Sequence, residues 1–135
     1  NDGMKKIVVE NLIKKLLDKN INIKNSKLLI MGLTFKENCS DTRNSLIIDV
    51  SKMLAEKSIK IDAIDPWIND IETISNNINL IETPQNSYYD AIIIAVKHNK
   101  FLRYSNKLIK SWCKKNHVIY DLKSALKKSK SILRL

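Results

Sequence analysis

The chain has 135 residues, of which 44% are apolar and 28% charged, the make-up of one ordinary globular domain with its own core. Its longest uncharged apolar run, Ala91 to Val96, falls far short of the ~20 residues of a membrane-spanning helix. The formal net charge of +10 is uneven: residues 97–135 hold 12 Lys/Arg against the single acid Asp121, while residues 1–96 hold 12 against 13 acids. A basic last third admits a nucleic-acid-binding module, but it lacks the interleaved aromatics and clustered arginines that stack on or read bases. Cys39 and Cys113 are far apart and belong to no Cys/His cluster, so neither a metal site nor a disulfide framework is indicated; reduced thiols of a cytoplasmic protein are expected. The opening Asn1-Asp2-Gly3-Met4 carries no signal-peptide pattern and reads as the continuation of a longer chain.

In chain order, Met4 to Asp18 predicts a helix, with Met4, Ile7, Val8, Leu12, Leu16 and Leu17 at three- and four-residue steps. Lys27 to Gly32 predicts a strand buried on both faces. Leu46 to Lys57 predicts a second helix, capped by Asn44 or Ser45, with Leu46, Ile47, Val50, Met53 and Leu54 facing inward. Lys60 to Asp65 reads as a strand stopped by Pro66. A loop with a weak helix follows over residues 67–77, then a short strand at Leu80-Ile81. Asp90 to Val96 is the strongest buried strand. Phe101 to Cys113 predicts a helix, His117 to Asp121 a last strand, and Ser124 to Ser129 a short basic helix. Strands alternating with helices imply right-handed βαβ units. The expected fold is therefore α/β: a doubly wound, mostly parallel sheet in a three-layer, Rossmann-like sandwich.

Such sheets bind ligands at the carboxyl ends of their strands. Four ends carry polar residues: the loop from Gly32 to Arg43, Asp65-Pro66-Trp67, Val96-Lys97-His98-Asn99, and Asp121-Leu122-Lys123. The first is the most informative. It offers Lys36 and Arg43 beside a helix N-terminus, where free N–H groups and the helix dipole favour anions. It has one glycine, not the three of G-x-G-x-x-G, so it is a poor primary dinucleotide site. Lys36 reads as a phosphate contact or a solvated loop lysine, and Arg43 as a ligand contact or the partner of Asp41. Asp65 stands where a Rossmann fold places its ribose-binding acid, though Asp-Pro also simply ends a strand well. His98 reads as a catalytic group or a polar loop residue. Cys39 has no base near it in sequence and reads as a bystander.

The run from Gly32 to Ser45, with Gly-Leu-Thr-Phe-Lys followed by Asp41-Thr42-Arg43, resembles the signature of the C-terminal domain of the UDP-glucose/GDP-mannose dehydrogenase family. The likeness is greatest to the subgroup that oxidises UDP-N-acetylhexosamines for capsule or O-antigen polysaccharide. Asn1-Asp2-Gly3-Met4, Ile64-Asp65-Pro66-Trp67, Tyr89-Asp90-Ala91 and Tyr120-Asp121 extend the resemblance along the whole chain. It implies an enzyme of three parts: an N-terminal NAD-binding domain, a middle domain with the nucleophilic cysteine and the homodimer contact, and a C-terminal domain holding UDP. The implied reaction takes the sugar C6 alcohol to a carboxylate with two NAD, through a thiohemiacetal on that cysteine. This chain would supply only the third part (residues 23–135) plus the end of a connecting helix (residues 1–22), with no catalytic residue of its own. The resemblance also implies that Phe35 and Lys36 line the nucleotide-sugar site, that Arg43 points toward NAD, and that Lys123 is the basic substrate contact after the last strand. Ser40 stands where a proline is common.

Overall fold

The computed structural model describes residues 2–71, 74–126 and 128–135. Six strands, β1 (Lys27–Met31), β2 (Lys60–Ile64), β3 (Ile78–Leu80), β4 (Tyr89–Ile94), β5 (Cys113–Asp121) and β6 (Ile132–Arg134), form one sheet in the order β3-β2-β1-β4-β5-β6. Every neighbouring pair is parallel. This is the dinucleotide-fold order, whose topological switch lies between β1 and β4.

Alternation along the strands builds two cores. Leu28 and Ile30 of β1, Ala91 and Ile93 of β4, and Val118 and Tyr120 of β5 face one side. Leu29, Met31, Ile92, Ile94 and Ile119 face the other, as the two-residue period of a strand requires. Helix α1 (Asp2–Asp18) covers the first side with Val8, Val9, Leu12 and Leu16, and α2 (Leu46–Ala55) with Ile47, Ile48, Val50 and Leu54. Lys5 Nζ sits 2.6 Å from Asp49 Oδ2 and ties the two helices together, while Asn11 Nδ2 donates to the buried Tyr120 hydroxyl at 3.0 Å. Ile7 and Leu17, expected on the inner face of α1, are about half exposed. Phe101 of α3 (Asn99–Leu102), Ile109 of α4 (Asn106–Ser111) and Trp112 cover the second side. The three-layer α/β sandwich is thus the observed architecture.

Three expected elements differ. The helix over 101–113 is two short helices, because the Ser105 hydroxyl accepts the Leu108 N–H at 3.0 Å and starts α4 afresh; Cys113 already belongs to β5. The described residues of the 124–129 segment are not helical. Asp121 accepts the amides of Lys123, Ala125 and Leu126, which draws off the N–H groups a helix would need. The chain then adds β6 beside β5. Between 67 and 77 the described residues make turns rather than a helix; residues 72–73 of that segment, and residue 127 of the basic one, lie outside the described residues. Among the described residues no helix is long and apolar enough to cross a membrane.

Candidate functional site

Met31, Ile64, Ile94 and Asp121 stand in one row across β2, β1, β4 and β5. The four polar strand ends therefore emerge side by side. Gly32 makes the first turn possible. Its φ is +96°, and a Cβ there would lie 2.5 Å from Val96 Cβ and 3.0 Å from Val96 N. Only glycine meets both conditions.

Beyond Gly32 the loop is pinned by buried polar groups. Asp65 Oδ2 accepts the Leu33 N–H at 2.7 Å and Asp65 Oδ1 the Trp67 N–H at 2.8 Å. His98, fully buried, brings Nε2 to 3.0 Å from Asp65 Oδ2. Its Nδ1 accepts the Asn38 N–H at 2.9 Å. Asp65 is thus committed to the protein, with its side chain wholly buried, and is not presented to a ribose. His98 is neither a surface residue nor free to act as a base. Neither Asp65 nor the single-glycine turn therefore supplies the contacts that a primary dinucleotide site uses.

The loop and the β5 end meet over α2. Thr34, Phe35, Ser45, Leu46, Ile47, Ala95, Leu122 and Lys123, with Met4 of α1 and Leu135, line a pocket of ≈ 160 Å³. Phe35 is 54% exposed, an aromatic face turned outward. Ser45 is the N-cap residue of α2, yet its hydroxyl makes no capping bond. It is 5% exposed, and its Oγ has no hydrogen-bond partner. A buried hydroxyl without a partner is costly, and here it stands beside the uncapped amides of a ten-residue helix. Exposed Lys123 supplies a cation. Helix N-terminus, hydroxyl and lysine together suit an anion. The pocket is smaller than the ~300–1,000 Å³ that encloses a small-molecule ligand, so it takes part of one and leaves the rest outside, past Phe35. Larger grooves lie elsewhere: one between α1 and α2 is lined by Val9, Ile13, Leu17 and Met53, and one of ≈ 570 Å³ at the β2 end is lined by Asp65, Pro66, Glu82, Lys100 and Tyr104 but by none of Phe35, Ser45 and Lys123.

Of the residues singled out from sequence, the structure brings Phe35 and Lys123 into this pocket. Lys36 follows Phe35, exposed on the same loop and outside the lining. Arg43 is held locally: its backbone N–H and Nε donate to Asp41 Oδ1 at 2.9 and 3.0 Å, and Nη2 to Oδ2 at 3.1 Å. Those bonds hold the Asp41 carboxyl below its ordinary range and raise the guanidinium. Cys39 donates to the Lys36 carbonyl at 3.4 Å, and the only nearby imidazole, His98, has both nitrogens engaged. Sequence reasoning saw Ser45 only as a cap; nothing local reveals that its hydroxyl makes no capping bond.

Residues 29–128 match the sequence profile of the UDP-glucose/GDP-mannose dehydrogenase family, UDP binding domain. The chain belongs to the UDP-glucose/GDP-mannose dehydrogenase family. A UDP-N-acetyl-D-glucosamine 6-dehydrogenase of Pseudomonas aeruginosa is 42% identical over 136 residues, covering 100% of this chain and 32% of its own. One from Salmonella typhi is 44% identical over 137 residues with the same coverage. This family member therefore spans about a third of the length of those relatives. The solved NDP-N-acetyl-D-galactosaminuronic acid dehydrogenase of Methanosarcina mazei shares its fold with a TM-score of 0.78 at 19% identity, over 94% of this chain and 26% of that one. The UDP-N-acetyl-mannosamine dehydrogenase of S. aureus does so with a TM-score of 0.73 at 22% identity, over 99% and 30%.

Proposed function

We propose that this chain is the UDP-sugar-holding part of an NAD-dependent UDP-sugar 6-dehydrogenase, which oxidises the C6 alcohol of a UDP-hexose or UDP-N-acetylhexosamine to the uronate. The observation that carries the reading is the pocket at the α2 N-terminus, lined by Phe35, Lys123 and Ser45, whose buried hydroxyl has no partner among the described residues, in a chain matching a UDP binding domain. A diphosphate suits the helix amides and Ser45. Lys123 and Lys36 add point charges, and Phe35 offers a face to the nucleotide or sugar. This reading assigns residues 23–135 to the domain and residues 1–22, which include α1 (Asp2–Asp18), to the end of a connecting segment.

Among the described residues neither a glycine-rich dinucleotide turn nor an activated thiol stands out, and the reading places NAD and the nucleophile in the rest of the enzyme, with this part alone inactive. Arg43 reaches NAD once it releases Asp41. The full enzyme is a bacterial, cytoplasmic homodimer acting in capsule or related polysaccharide synthesis. Its partners are small molecules, neither nucleic acid nor membrane. Calorimetric titration tests the reading: UDP binds this chain, uridine binds far more weakly, and Lys123→Ala weakens UDP about tenfold, the effect of one charge-assisted contact. Equal binding of UDP and uridine would remove the diphosphate from the pocket.

A further inference from the structure

The buried imidazole of His98 lies outside the anion pocket, yet it is bonded to the loop that carries Phe35 and Lys36. Its two nitrogens have different duties. Asn38 N–H donates to Nδ1, so that nitrogen has no proton, and the ring hydrogen sits on Nε2, which donates to Asp65 Oδ2 and lies 3.3 Å from Thr34 Oγ1. Thr34 Oγ1 donates to the Lys36 carbonyl at 2.8 Å, and Asn38 Oδ1 accepts the Asn99 N–H at 3.0 Å. Asn38 itself has a left-handed backbone, φ 57°, which needs outside support in a non-glycine residue. Phe35 and Lys36 thus lie between two anchors, Leu33 on Asp65 and Asn38 on His98.

We propose that His98 is a positioning residue for the nucleotide-sugar site: without touching the ligand, its unprotonated Nδ1 fixes Asn38 and thereby the stance of Phe35 and Lys36. Asp65 acts behind it by holding the ring in the Nε2–H form. This inference rests on the UDP-sugar reading, and it assigns to the β4 end a role that the pocket residues do not reveal.

Two substitutions separate the nitrogens. The carboxamide of asparagine stands near the Nδ1 position and that of glutamine near Nε2. His98→Asn keeps an acceptor for Asn38, and UDP affinity of the chain stays within about threefold of the unsubstituted protein. His98→Gln keeps the Asp65 contact but loses Asn38, and affinity falls about tenfold or more. Affinity that follows thermal stability in both variants, whichever nitrogen is replaced, would overturn the proposal, because that is the behaviour of a residue that merely supports the core. Amide exchange and nitrogen-detected spectra of the unsubstituted chain give a readout independent of ligand and of variant folding. A slowly exchanging Asn38 amide and a proton on Nε2 are expected; a proton on Nδ1 or a fast Asn38 amide would overturn it. Absence of UDP binding by the unsubstituted chain overturns the functional reading instead, and the exchange data still decide whether His98 holds the loop.

Discussion

Replacing Ser45 by alanine should change stability and binding in opposite directions. A capping serine that loses its hydroxyl ordinarily costs a protein ~1 kcal/mol. Ser45 makes no capping bond, however, and its Oγ is buried without a partner. Removing such a group relieves a desolvation penalty of ~1–3 kcal/mol. After allowance for a small cavity, the ligand-free chain should gain about 1 kcal/mol, or roughly 3–5 °C in Tm for a domain of this size. With a phosphate in the pocket the hydroxyl has a charged partner, a bond worth ~1.5–3 kcal/mol, so UDP should bind about 10- to 100-fold more weakly. Thermal melts with and without UDP read both effects at once. A Ser45→Ala chain that is less stable by the usual capping increment, or that binds UDP as tightly as before, would refute the reasoning.

Other perturbations follow from the same geometry. Gly32→Ala should destabilise by about 3 kcal/mol or more, since a Cβ meets both a left-handed backbone and the Val96 side chain; a denaturant midpoint within error of the parent would contradict the close approach. In the intact enzyme, Lys36→Ala should raise the KM for the UDP-sugar, with unchanged kinetics removing Lys36 from the site, whereas Arg43→Ala should act mainly on NAD, an effect confined to the sugar speaking against that role. A thiol reagent near neutral pH should modify part-exposed Cys39 and spare Cys113, whose thiol burial pushes up to about 12. Mass spectrometry showing Cys113 modified first in the folded chain would contradict its placement.

The sheet was legible in the sequence where runs are long and apolar. Leu28 to Met31 and Ala91 to Ile94 are buried on both faces, and such runs leave little choice but a central parallel strand. Short elements were not legible. Ile132 to Arg134 becomes a strand only because Asp121 folds the intervening chain back onto β5, a tertiary effect with no local mark. At the site, Phe35 and Lys123 came from the resemblance, and their meeting in one pocket follows from the adjacent strand ends. The tasks of Asp65 and His98 were hidden for another reason. Apart from the Trp67 amide, their partners lie 32 to 64 residues away in sequence, and the Asp-Pro position suggested a ribose contact when burial had already committed the carboxylate.

The site at the α2 N-terminus is tested most directly by titrating the isotopically labelled chain with UDP and following each backbone amide. The account predicts that the largest shifts fall on Phe35, on Ser45 to Ile47 and on Lys123, saturating together. Shifts that instead map to the lysine-rich surface of α3 and α4, and that an oligonucleotide reproduces with a steep dependence on salt, would contradict it.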